Sequence, residues 1–121
     1  MPTRRLERIA RNEASFRDIN EELEDGLRRV ARPPALLRFV CECGRQECDL
    51  TVELTFEEYE AVRRDSRHFA VAPGHALPEA ERVVAVHDRF EVVEKLGDGV
   101  AITDAEDRRR AGPGGLRDPS A

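Results

Sequence analysis

The sequence predicts a small α+β domain: a long amino-terminal helix, a hairpin clasped at a cysteine loop, a short helix and a small antiparallel sheet. Three observations carry this prediction. Apolar residues recur at helical spacing ahead of Pro33-Pro34, all three cysteines fall between Cys41 and Cys48 with a short apolar run on either side, and β-branched segments follow in pairs. At 121 residues the chain supports one domain with one modest core. Its hydrophobic fraction is 40% against 37% charged, with no Trp and one Tyr, so little apolar surface can be buried. A metal staple suits such a chain.

Ile9, Phe16, Leu23 and Val30 recur every seven residues, with Leu6, Ile19 and Leu27 beside them, so residues 4 to 30 read as one amphipathic helix. Pro33-Pro34 sets its outer limit, and 4–32 is the expected helical segment. Glu13 and Asn20 interrupt the second column, which counts against a long coiled coil. Charge along the helix is segregated, with Arg4, Arg5, Arg8 and Arg11 first, acids from Glu21 to Asp25, then Arg28, Arg29 and Arg32. Arginines at a helix start oppose its dipole, so they read first as a solvated face with frayed first turns, and otherwise as a sign of antiparallel self-association or an acidic partner.

The run from Leu36 to Val40 reads as a strand delivering Cys41, and Leu50, Val52 and Leu54 alternate with polar residues as a returning strand. Thr55 and Glu58 form a capping-box pattern, predicting a helix to about Arg64 with Phe56, Tyr59 and Val62 inward. His68 to Ala72 reads as a third strand ending at the Pro73-Gly74-His75 turn. Arg82 to His87 and Phe90 to Leu96 form a β-branched hairpin about Asp88-Arg89. Val100 to Thr103 is expected to add an edge strand, giving a globular part over 36–103. Residues 104–121, polar and then Gly/Pro-rich, are expected to be a disordered tail.

Cys41, Cys43 and Cys48 supply three donors of the kind a tetrahedral structural zinc site takes. Gly44 fits a loop that doubles back through positive φ. His75, in its tight turn, is the expected fourth ligand. His68, His87, Asp49 and Glu42 are the alternatives, since zinc accepts imidazole and carboxylate. The odd cysteine count argues against a disulfide framework.

This Cys-x-Cys-x4-Cys loop resembles the post-SET zinc loop of protein lysine methyltransferases, where three thiolates are completed by a distant residue. The likeness covers eight residues, and no methyltransferase domain or cofactor motif accompanies it. A longer stretch resembles a small bacterial protein family without assigned activity. That likeness rests on the helical segment Asn12 to Glu21, the cysteine cluster, the Thr55-x-x-Glu58-Tyr59 helix start and Pro73-Gly74-His75.

No apolar run approaches the ~20 residues that span a bilayer, and no apolar segment follows Met1-Pro2-Thr3-Arg4-Arg5, so a cytoplasmic protein without membrane contact is expected. The formal charge of -5 disfavours nonspecific polyanion binding. The expected function is a noncatalytic, zinc-stabilised binding or regulatory module, meeting a protein partner or a second copy through the amino-terminal helix. Two other readings are a thiol/zinc redox sensor and a nucleic-acid-binding accessory protein using arginines 4–11 and 108–110. An enzyme is not expected, because no nucleophile triad or phosphate-cradling loop is present.

Overall fold

The computed structural model describes residues 4–111 and has the α+β architecture expected. Helix α1 (Arg4–Leu27) leads into a hairpin of β1 (Leu37–Val40) and β2 (Thr51–Leu54). Helix α2 (Phe56–Arg63) follows, then β3 (His68–Val71), β4 (Glu81–Val86) and β5 (Glu91–Lys95), and finally α3 (Gly99–Ala105) and α4 (Arg108–Ala111). Both sheets are antiparallel. One is the β1-β2 pair and the other has the order β3-β5-β4.

The hairpin register sets Leu37 opposite Leu54 and Phe39 opposite Val52, so one face of the pair is apolar and buried. The core lies between that face, α2 and β3-β5, and includes Phe39, Leu54, Tyr59, Phe69, Val71, Phe90 and Val93. Phe39 and Tyr59 stack with ring centroids 4.6 Å apart. The expected cap of α2 is present: Thr55 Oγ1 accepts from the Glu58 amide at 3.1 Å, and the Glu58 carboxylate accepts from the Thr55 amide at 2.9 Å.

Three expectations are corrected. The first concerns α1, which ends at Leu27 and buries only part of its apolar stripe, Ile9 fully and Leu6, Phe16 and Leu27 in part. Glu13, Arg17, Asn20, Glu21 and Glu24 are buried with Ile9, Ala10 and Ala14, whereas Ile19, Leu23 and Val30 are exposed. Burying polar groups is tolerable only where each finds a partner, and most of these do. Glu13 meets Lys95 at 2.7 Å, and Arg17 donates to the Ser66 and Thr103 carbonyls.

The second correction concerns Val100 to Thr103, which form part of α3 and no edge strand. Helical winding puts Gly99 and Thr103 on one face against α1, where Ala10 Cβ would lie 3.4 Å from any Cβ at Gly99. It also turns the Thr103 carbonyl toward Arg17, 2.8 Å away.

The third concerns the tail. Residues 104–111 are ordered in the fold, and Asp107 is among its most buried charges. Their role is electrostatic, as Asp107 meets Arg63 at 2.6 Å and Arg17 at 3.6 Å, while Arg109 reaches Glu21 and Glu60 at 3.0 and 2.8 Å. The rest of the predicted tail, 112–121, lies outside the described residues.

Candidate metal centre

The connection from β1 to β2 carries Cys41, Cys43 and Cys48, and folds back along the free edge of β3. The Cys41 amide still pairs with the Leu50 carbonyl at 3.0 Å, continuing the hairpin, while the Glu42 amide pairs with the Ala70 carbonyl of β3 at 2.8 Å. Beyond β3 the chain turns at Pro73-Gly74, where Gly74 takes φ +80, a value costly to residues with a Cβ. That turn returns His75 toward the sulfurs.

Cys41, Cys43, Cys48 and His75 thereby come together, with one donor atom from each lying within 4.8 Å of all the others. His75 Nδ1 is 3.8 Å from Cys41 Sγ and 3.6 Å from Cys48 Sγ. Tetrahedral zinc, with Zn–S about 2.3 Å and Zn–N about 2.0–2.1 Å, separates sulfur from nitrogen by about 3.6 Å. These two sulfur–nitrogen spacings are therefore compatible with a tetrahedral metal site. His68 lies instead with Asp65 and Glu94, and His87 stacks on Phe90 at 4.3 Å. Asp49 does not join the four donors.

The local electrostatics divide the three thiols. Cys43 is drawn down to about 4, first by the hydrogen bond from Cys41 and then, against the cost of burial, by one from His75 and by the Arg45 amide. Cys41 is pushed up by donating that hydrogen bond and by burial, and Cys48 is raised chiefly by burial. Three thiolates packed together repel, and a divalent cation at their centre would hold all three deprotonated. Backbone amides add support, the Ala72 amide lying 3.1 Å from Cys41 Sγ.

Two details of the loop differ from the sequence reading. Gly44 does not have positive φ; its glycine is required by close approach. A Cβ there would collide with the Ile9 side chain and lie 3.0 Å from Leu77 Cδ1, so the loop is pressed beneath α1. Glu42 does not join the four donors either, because its carboxylate is fully buried among other partners. It accepts from Asn20 Nδ2 at 2.9 Å, Tyr59 Oη at 2.8 Å and the Ala70 amide at 3.0 Å.

Sequence reasoning missed the supporting residues Glu42, Asn20, Tyr59 and Arg45. Asn20 also brackets β1, donating to the Val40 carbonyl and accepting from the Val40 amide, both at 2.8 Å. Arg45 donates to the His75 carbonyl at 3.1 Å and ties the two ligand segments together. The available signal was alternation: in an extended Cys41-Glu42-Cys43, the middle side chain must point away from the other two.

No family model, curated protein or solved structure matches the chain. Function is therefore argued from the site itself.

Proposed function

We propose that the protein is a noncatalytic binding or regulatory module whose fold is clasped by zinc. The observation that carries this reading is the convergence of Cys41, Cys43, Cys48 and His75 from two separate segments, with their donor atoms within 4.8 Å of one another. Four protein donors fill a tetrahedral ion and leave no open position for substrate, which is the pattern of structural sites. Elemental analysis of protein purified without added metal is expected to give one zinc per chain. A folded, metal-free preparation would end this reading.

The module's partner surface is the exposed stripe of α1, where Ile19 and Leu23 border a shallow groove of about 330 Å³. A second copy is the occupant that fits. Asp18, Glu22 and Asp25 flank the stripe, and Arg29 and Arg32, in the segment beyond the end of α1, are the cations that a second copy staggered toward its carboxy-terminal end sets against them. Sedimentation is expected to give a dimer that Leu23→Glu converts to a monomer without loss of metal. A monomeric wild type removes this partner and leaves the metal reading standing.

The redox reading rests on Cys48, which is only partly buried and beside Cys41 and Cys43. Peroxide would take two electrons from two of the thiolates, joining their sulfurs, leaving as water and releasing the ion. Thiol counting and zinc release with and without peroxide test it. The nucleic-acid reading loses ground because Arg5, Arg11, Arg108 and Arg109 are all held in intramolecular ion pairs. No helix among the described residues is long and apolar enough to cross a membrane.

A further inference from the structure

The first turns of α1 and the cysteine loop enclose a cavity of about 240 Å³ on the face of the loop that α1 covers. Its polar lining is Arg5, Arg8 and Asn12 from α1, with Arg45, Gln46 and Glu47 from the loop. Ile9, Leu77 and Gly44 complete it on the apolar side. The floor is rigid, because Gly44 is packed against Ile9 and Leu77, and Asn12 Nδ2 donates to the Gly44 carbonyl at 2.9 Å.

Of the four arginines at the start of α1, Arg4 lies outside the cavity lining, and the partners of the other three separate them into two groups. Arg5 forms a two-pronged pair with Glu79 at 2.7 and 2.8 Å, and Arg11 pairs with Glu106 at 2.8 Å, so these two serve the fold. Arg8 has no hydrogen bond or ion pair among the described residues. Arg45 is anchored by the His75 carbonyl and likewise has no carboxylate partner among them. Two guanidinium groups that pair with no acid among the described residues thus line one cavity, one from α1 and one from the loop.

We propose that this cavity binds the phosphate group of a small phosphorylated ligand. Guanidinium groups from two walls, with the Asn12 and Gln46 amides in the same lining, suit an oxyanion that presents oxygens in several directions. The volume exceeds that of the oxyanion alone and falls below the ~300 Å³ where drug-sized sites begin. The ligand's organic part is therefore small and rests on Ile9 and Leu77. Glu47 is the one carboxylate in the lining, and it opposes the anion.

The test is a titration of the full chain, followed by backbone-amide NMR at fixed ionic strength, with inorganic phosphate and with glycerol phosphate in separate arms. Saturable shifts are expected at Asn12, Arg45 and Gln46. Arg8→Gln, which removes no internal contact, is expected to weaken binding about tenfold, in line with the loss of one charge-assisted contact. Glu47→Gln is expected to tighten it, and Arg4→Gln, outside the lining, to leave it unchanged. Tighter binding of glycerol phosphate than of phosphate identifies the phosphomonoester as the ligand, and equal binding identifies the free ion. Absence of a saturable shift, or equal losses in Arg8→Gln and Arg4→Gln, overturns the proposal. Zinc content measured on the same samples separates this result from the fate of the metal reading.

Discussion

The cysteine corner and the charged seam beneath α1 solve the same problem with opposite materials. Both fasten segments that a sparse apolar core cannot hold by itself. The corner uses four donors, three of them within eight residues, and the chemistry of each announces its purpose in the sequence. The seam uses ordinary charges whose partners are remote: Arg63 with Glu21 across 42 positions, and Arg109 with Glu21 across 88. What the comparison teaches is that a candidate metal site advertises itself by donor type, whereas a buried ion network does so only once it is folded. Asn20 joins the two regions, gripping Val40 on the strand that leads to Cys41 and Glu42 inside the loop.

Breaking the corner is expected to have the largest effect. Cys43→Ser removes the donor at the centre of the thiol cluster, and zinc binding energy in such sites is folding energy. The loss is expected to reach ~5 kcal/mol or more, comparable with the whole stability of a small domain. Urea denaturation and metal content should fall together.

Breaking the seam is expected to come next and to separate the two regions. Asp107→Ala leaves the Arg63 and Arg17 guanidinium groups buried without their shared carboxylate. Uncompensated buried charge costs about 3–5 kcal/mol. In this variant the urea midpoint should drop while zinc stoichiometry is retained. If zinc is lost as well, the two regions are one cooperative unit.

The seam also gives the comparison a pH axis. Burial pushes Glu24 up to about 7, helped by its hydrogen bond with Glu60. A raised carboxyl group contributes stability that is full below its ordinary value of 4.5 and is lost as pH rises through about 7. Asp107 runs the other way. Burial would raise it, yet Arg17 and Arg63 outweigh burial and hold it below its ordinary 3.8. Its contribution is present above that value and is lost as pH falls through its lower folded value. Urea midpoints taken from pH 4.5 to 7 should decline with a slope that Glu24→Gln flattens. An unchanged slope would place the titration elsewhere.

The smallest expected effect lies outside both regions. Thr55→Ala removes the side-chain half of the α2 cap and should cost about 1 kcal/mol, leaving zinc content and the pH slope untouched. A thermal melt resolves a change of this size.

The sequence by itself determined what local chemistry could encode. The cysteine cluster, the Gly74 turn that returns His75, the Thr55 cap and the alternation of β1 and β2 all act over a few residues, and each is found where the pattern placed it. Only the tertiary structure decided which face of α1 is buried. The apolar stripe of Ile19 and Leu23 is outside and the face of Glu13, Arg17 and Asn20 is inside, because Lys95, Thr103 and Glu42 wait there to receive it. It likewise made a helix of residues 99–105, and drew Asp107 and Arg109 out of an apparently unstructured tail. The physical reason is one of range. Hydrophobic periodicity and capping are properties of neighbours in the chain, whereas the cost of burying a charge depends on an opposite charge that the fold brings from far away.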